Sequence, residues 1–513
     1  MSVNPSPALA ALLSFIFPGL GQIYAGNIRK GLLWALPMLL FIVAVIWLLL
    51  GGQTAILNLG FDPQKRLALL VLNIAFFLYH VAAMVDAYQV ARMERYHGFG
   101  SSRGTPIALA ALVALAIVLH GVPEVYGWQV HTGIIDLFPP GDGDQVIPSF
   151  SPRPTLPPTE VPSVTPTPVQ TATPGTSATP SGGPTGSVGP SATPRACPPI
   201  DVSAWGMADY GRVNLLLVGS DSRSDEGAGT ASIRTDSMML LSIDIASCKA
   251  ALFSFPRNMR QGEYPAWFHI QLENGQDYPG YLFALWRDAA SSPANYPGSE
   301  GIGSDCQTQF TCERGWRALT GAIQNMAGVQ VDGVVAVNLK GFVDVVDNLP
   351  GGGLWIDVPK PGLQDGAYYN SQQQKMQVDF APGCQFLDGE EALAFARSRH
   401  QDSDYQRARR QQIFLQQVRK QIDPLSILPH IPALLQVAQQ NLFMTLQQSD
   451  IPYLAQVASR IDADRLYRFD FAPKRMNRLG SMEAMADKVN NIFSEPEPNP
   501  TTKPNQEPCP PRN

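Results

Sequence analysis

Residues 213–257 read VNLLLVGSDSRSDEGAGTASIRTDSMMLLSIDIASCKAALFSFPR. Three short apolar runs stand out: Val213–Gly219, Met238–Ile245 and Ala250–Phe255. Each is continuous rather than alternating, and the spacing predicts buried strands. Only Ala246–Lys249 separates the second run from the third, as in an antiparallel hairpin. A polar loop separates the first from the second. Asp221 and Arg223 follow the first run, Arg234 and Asp236 precede the second, and Arg257 follows the third. Antiparallel neighbours bring these positions to one edge of the sheet, where two carboxylates and three guanidiniums converge. The bland alternative is ordinary loop polarity at strand ends.

Around this stretch the composition is uneven. The chain has 513 residues, with Lys plus Arg 37, Asp plus Glu 43 and a net charge of −6. Its length predicts about three units. No basic excess marks a nucleic-acid partner, and no acidic excess marks a solvating tail. Charged residues make up only 16%, which is low for a soluble protein.

The first 125 residues explain that shortage. Residues 30–52, 67–85 and 106–122 are apolar runs suited to the hydrocarbon core of a bilayer. Residues 8–26 are apolar too, but Pro18 and three glycines interrupt them, leaving three or four spans open. A cleavable signal peptide does not fit, because no positive region opens the chain and several spans follow. Arg29, Lys30, Arg92, Arg95 and Arg103 lie in loops that the positive-inside rule assigns to the cytoplasm. Everything after about residue 123 is then expected outside a multi-pass membrane region. All six cysteines lie beyond residue 196, as expected of an oxidising compartment. Spacing does not choose their pairing, although Cys306 with Cys312 is the most local option.

Residues 139–196 are Pro, Thr, Ser and Gly with almost no large apolar residue, so they form no core. Their prolines favour an extended spacer. The expected organisation is a transmembrane region at 1–125, a Pro/Thr/Ser-rich linker at 126–200 and a catalytic α/β domain at 201–425. A helical extension at 426–488 and a disordered tail at 489–513 follow.

Later residues add to the site. Asp388 and Glu391 form a capping-box pattern before the helix GEEALAFA, which delivers Arg397, Arg399 and His400. A second helix begins at Asp404. On it Arg407, Gln411, Phe414 and Val418 share one face, so Arg407 and Gln411 continue an inward stripe. A buried arginine needs an anion. The bland alternative pairs Asp404 with Arg407 and leaves Arg409 and Arg410 solvated. Arginine forks match phosphate oxygens, and several in one cleft imply more than one phosphate. Asp221 and Asp236 then make sense as ligands of a hard cation such as Mg²⁺, shared with substrate phosphates. The chain carries no P-loop, no HExxH and no GxSxG. His400 is a secondary candidate.

The blocks NLLLVGSDSR, IRTDSMMLLSID, FSFPRN, VDGVVAVNLKGFVDVVDNLPGG and GCQFLDGEEALAFARSRHQDSDYQRARRQQ resemble, in order from about residue 211 to 420, the LytR-CpsA-Psr family. The resemblance implies an α/β/α sandwich around a mixed β-sheet. It implies an extracytoplasmic, membrane-anchored phosphotransferase. Such enzymes move a glycan phosphate from a polyprenyl-pyrophosphate carrier to peptidoglycan with Mg²⁺, or Mn²⁺ in its place, and can show side pyrophosphatase activity. It matches Arg257 to a pyrophosphate-binding arginine and Asp404 and Arg407 to the acidic and basic positions of a DxxRxxRQQ-like helix, and these three are expected to act in catalysis. Arg223, Arg234, Arg397, Arg399 and Gln411 fall to the pyrophosphate, and Asp221 and Asp236 to the metal. Two departures stand out. Asn258 replaces an acidic residue, and residues 259–300 are aromatic and lack the family's lysine block. The alternative function is a non-catalytic, wall-polymer- or lipid-binding scaffold of the envelope. Val334–Val337 and Phe342–Val346 are candidates for an apolar slot that takes the lipid tail. Residues 426–470 read as further amphipathic helices.

Overall fold

The computed structural model describes residues 5–50, 59–60, 62–96, 105–138, 147, 211–222, 233–292, 296, 312–398, 404–422, 426–498 and 509. The apolar N-terminal runs are helical. Residues 8–26 break into α1 (Pro7–Ile16) and α2 (Leu20–Tyr24), each too short to cross a bilayer. Gly19, at φ 103°, makes the break, and a Cβ there would stand 2.2 Å from the Gly31 carbonyl oxygen. Helices α3 (Ile28–Leu50), α4 (Pro63–Tyr96) and α5 (Thr105–Leu137) are long and apolar enough to cross a membrane. Helix α5 runs on through residues 126–137, past the end of the apolar run read from the sequence. Polar groups among these helices pair with one another, as hydrocarbon demands. Lys30 and Trp34 meet Asp86, while Asn73 bridges His120 and Glu124. The Pro/Thr/Ser-rich linker lies outside the described residues.

The α/β domain opens with β1 (Arg212–Ser220), β2 (Thr235–Asp244) and β3 (Lys249–Phe255). They are the three expected strands, and they pair antiparallel in sequence order. A short hairpin, β4 (Ile270–Gln271) and β5 (Asp277–Tyr278), leads to α6 (Leu282–Ser291) and α7 (Glu313–Ala327). Then β6 (Gly333–Val337) joins β1 in parallel and turns into α8 (Leu339–Asp347). Asn338 starts this helix, its side chain accepting from Gly341 N. Next come β7 (Leu354–Val358), β8 (Leu363–Tyr369), β9 (Lys375–Phe380) and β10 (Gly383–Leu387), in two small antiparallel pairs, β7 with β10 and β8 with β9. A disulfide joins Cys384 of β10 to Cys509. Cys248 and Cys312 are also disulfide-bonded.

Helix α9 (Gly389–Arg397) carries the expected capping box of Asp388 and Glu391. Helix α10 (Asp404–Gln421) follows, and then α11 (Ile431–Asn441), β11 (Leu442–Met444), α12 (Ile451–Arg460), β12 (Tyr467–Asp470), α13 (Pro473–Leu479) and α14 (Met482–Asn490). The six-stranded order is β11-β6-β1-β2-β3-β12. Both edge strands thus come from residues 426–470, a region that the sequence reads as helices alone. They are short, and the amphipathic stretches around them mask their signal.

Strand alternation sends side chains to two helical layers. Leu216, Leu240, Phe253 and Val334 join a core with α6, α7 and α14. Val213, Leu215 and Ile243 pack against α12 on the other face. The domain is an α/β/α sandwich around a mixed sheet, as expected.

Candidate active site

The antiparallel order brings the ends of β1 and β3 and the start of β2 to one end of the sheet. There Asp221 N donates to the Arg234 carbonyl at 3.1 Å, and Arg234 N donates to Asp221 Oδ1 at 2.7 Å. Arg257 Nη1 pairs with Asp236 Oδ1 at 2.5 Å, with side chains only 13% and 17% exposed. From the opposite side α10 lowers its inward stripe onto the same strand. Arg407 is buried, and its Nη2 donates to the Asp236 carbonyl at 3.1 Å. Gln411 accepts from Ser237 Oγ at 2.9 Å and donates to the Ala396 carbonyl at 3.2 Å, tying β2 to the end of α9. Arg397, the last residue of α9, shares a cavity wall with Asp236 and Gln411.

Asp221, Arg234, Asp236, Arg257, Arg397, Arg407 and Gln411 therefore come together. Arg223, Arg399 and His400 lie outside the described residues, as does the Asp404 side chain. Of the two arginines that the bland alternative leaves solvated, only Arg409 is exposed. Arg410 is buried, and it donates from Nε to the Phe395 carbonyl at 2.8 Å and from Nη2 to the Ser398 carbonyl. It thereby caps the carbonyl end of α9 beside Arg397. Ser398 Oγ in turn donates to the buried Asp365 carboxylate.

The electrostatics are unbalanced. Four guanidiniums (Arg234, Arg257, Arg397 and Arg407) face two carboxylates. Burial and then the Asp236 charge push the Asp221 carboxyl up to about 6, while Arg234 and Arg397 oppose the rise. Arg257 Nε is buried with no hydrogen-bond partner among the described residues. Buried orphan donors are rare, and at a cleft they point to a group that the protein itself does not supply. Carboxylate oxygens of this kind are the donors that a hard divalent cation takes, together with phosphate oxygens. Among the described residues no cluster of three or more His, Cys, Asp or Glu offers an all-protein metal cage.

Beneath the charged groups lies a cavity of about 240 Å³. Leu217, Met239, Val335, Val337, Phe342 and Leu415 give it an apolar wall. Val335, Val337 and Phe342 belong to the two segments nominated for a lipid slot, whereas Val334 and Ala336 point to the opposite core.

The sequence gives no sign of Phe283. Its ring lies 5.7 Å from the Arg234 guanidinium carbon and 5.8 Å from that of Arg257. It also stacks on Tyr281, with centroids 5.4 Å apart. In the string YLFALWRD it looks like one more core aromatic. Only the packing of α6 against the strand ends shows it as a cation–π partner of both arginines.

A mixed-sheet α/β/α domain with an arginine-rich, two-carboxylate cleft above an apolar slot is the class of protein that the fold and site define. The model of the LytR_cpsA_psr family matches residues 193–262 and 300–492, and the chain belongs to that family. It is 26% identical over 264 residues to the polyisoprenyl-teichoic acid–peptidoglycan teichoic acid transferase TagT of Bacillus subtilis, covering 51% of this chain and 69% of that one. It is 24% identical over 252 residues to an uncharacterized Staphylococcus aureus protein, covering 48% and 51%. It is 26% identical over 233 residues to the cell wall biosynthesis protein LcpA of Corynebacterium glutamicum, covering 42% and 41%. The match thus spans about half the length of the last two. Among solved structures, TagT bound to LIIa-WTA aligns at TM-score 0.36 and 20% identity over 55% of this chain and 91% of that one. Bacillus subtilis TagV aligns at TM-score 0.36 and 18% identity over 54% and 97%.

Proposed function

We propose that this protein is a membrane-anchored phosphotransferase that moves a glycan phosphate from a polyprenyl-pyrophosphate carrier to peptidoglycan. The observation that carries it is the Arg257 Nε, buried without a hydrogen-bond partner among the described residues, beside Asp236 and set among three further arginines above an apolar slot. That combination suits an amphipathic substrate with a doubly phosphorylated head and a hydrocarbon tail. Family membership and the transferase activity named for TagT support it.

In the reaction an acceptor hydroxyl attacks the glycan-side phosphorus. The bond from that phosphorus to the bridging oxygen breaks, leaving polyprenyl monophosphate and a glycan–phosphate–acceptor diester. Arg234, Arg257 and Arg397 hold the pyrophosphate oxygens and offset the charge that collects on the bridging oxygen. Arg407 is fixed to the strand carrying Asp236 and supports the same cradle. Mg²⁺, or Mn²⁺, would be held by Asp221 and Asp236 and would neutralise phosphate charge. The slot takes the first part of the lipid tail.

The packing of the chain is consistent with an extracytoplasmic domain. The domain meets the C-terminal half of α5 at Tyr126 and Gly133, whereas Arg29 and Lys30 lie in the first turn of α3 and Arg92 in the last turns of α4. Under the positive-inside rule that side is outward.

The test is cleavage of a polyprenyl-pyrophosphate glycan analogue by the purified chain with Mg²⁺. Arg257→Ala and Asp236→Ala are each expected to lower turnover by about 100-fold or more, the usual effect of losing one preorganised charge-stabilising group. Equal cleavage by all three proteins would remove this site as the reacting centre, and no cleavage by the wild-type chain would remove the enzyme function and leave the binding scaffold.

A further inference from the structure

The membrane helices and the α/β domain meet along a seam. The Tyr126 hydroxyl donates to the Leu428 carbonyl, and Gln439 Nε2 donates to the Gly133 carbonyl at 3.0 Å. Gly133 permits the approach, since a Cβ there would stand 3.2 Å from Leu435 Cδ1. Within the seam is a cavity of about 940 Å³. Its walls come from both sides: Leu70, Phe76 and Leu119 from α4 and α5, and Val345, Leu434 and Ala438 from α8 and α11. This lining is hydrocarbon over most of its area.

We infer that this seam cavity receives the distal isoprenoid chain of the lipid-linked donor on its way from the bilayer to the slot beneath the arginines. The inference rests on the proposed transfer function. Three observations favour this occupant. First, the slot, at about 240 Å³, falls below the ~300–1,000 Å³ usual for ligand sites. A long polyisoprenoid overruns it and needs a second apolar compartment. Second, the two compartments share α8 as a wall. Phe342 lines the slot, and Val345, three residues on, lines the seam cavity. Third, the seam cavity is built partly from helices suited to a bilayer, so a chain lying in it leaves the membrane without crossing water.

The full chain in nanodiscs tests this with a polyprenyl pyrophosphate that carries a mid-chain diazirine. After photolysis, mass spectrometry maps the adducts. Adducts are expected at seam residues such as Val345 and Leu434, at about fivefold or more over an equal load of phospholipid bearing an acyl-chain diazirine. Ala438→Trp, which narrows the cavity at its α11 wall, is expected to lower labelling at the neighbouring Leu434. Adducts confined to slot residues such as Val335 and Phe342 would overturn the inference. So would equal seam labelling by the phospholipid. The wild-type comparison decides the matter even where the variant fails to fold. Labelling needs no turnover, so seam adducts on a protein that cleaves nothing would sink the transfer function and leave the cavity assignment standing.

Discussion

Arg257 is half-buried at the strand ends, with the Asp236 carboxylate beside it, the Phe283 ring near its guanidinium, and an Nε without a hydrogen-bond partner among the described residues. Leaving that one buried donor unpaired costs about 1–3 kcal/mol until an acceptor arrives. Arg410, by contrast, donates to the Phe395 and Ser398 carbonyls, which lie on either side of Arg397 at the end of α9. Arg410→Ala is expected to raise KM for the pyrophosphate donor about tenfold and to lower Tm. Arg410→Lys, which keeps the charge but not the fork, is expected to recover Tm better than KM. A KM that follows Tm in both variants would make Arg410 merely structural. Asp332 makes a separate prediction. Its carboxylate accepts from Asn214 N at 2.7 Å, and burial pushes its pKa up to about 7 despite Arg212 nearby. The folded-state pKa exceeds the unfolded one, so the native state binds the proton more tightly. The stability contribution of this group therefore falls as pH rises from about 4 to about 7, and it stays low above that. Asp332→Asn is expected to raise Tm by about 2–4 °C at pH 8. The gain should vanish near pH 4.5, and thermal melts across that range check it.

At the scale of elements, β11 and β12 complete the sheet from beyond α10. Without them β6 and β3 become open edges, with their backbone groups unpaired. A chain ending near residue 425 is expected to melt at a lower temperature and over a broader range than the longer chain. A sharp transition retained in the shorter chain would contradict this. The contrast shows what was legible in the sequence. The strands across 213–255 announce themselves because both faces are buried and their apolar runs are unbroken. One hairpin then fixes which residues share a sheet end, and that placed Asp221, Asp236 and Arg257 in advance. The helical stripe of α10 did the same for Arg407 and Gln411. The three residues Leu442–Met444 and four of β12 are too short to set a period against neighbouring helices. Phe283 and Arg410 act through contacts between distant elements, a cation–π pair and a helix-end cap, which no local pattern records.

The whole molecule joins a helical bundle suited to a bilayer to a domain that handles charge, and the seam between them is apolar. That arrangement suits a substrate whose tail belongs to the membrane and whose head belongs to water. In the proposed reaction the slot beneath the arginines takes the first carbons of the tail and so orients the head. The most direct measurement is ³¹P NMR of the full chain in nanodiscs with a polyprenyl-pyrophosphate glycan, Mg²⁺ and peptidoglycan. The predicted result is that the paired pyrophosphate signals give way to polyprenyl monophosphate and a phosphodiester that travels with the peptidoglycan. Pyrophosphate signals that persist unchanged, or that yield monophosphates with no wall-linked diester, would contradict it.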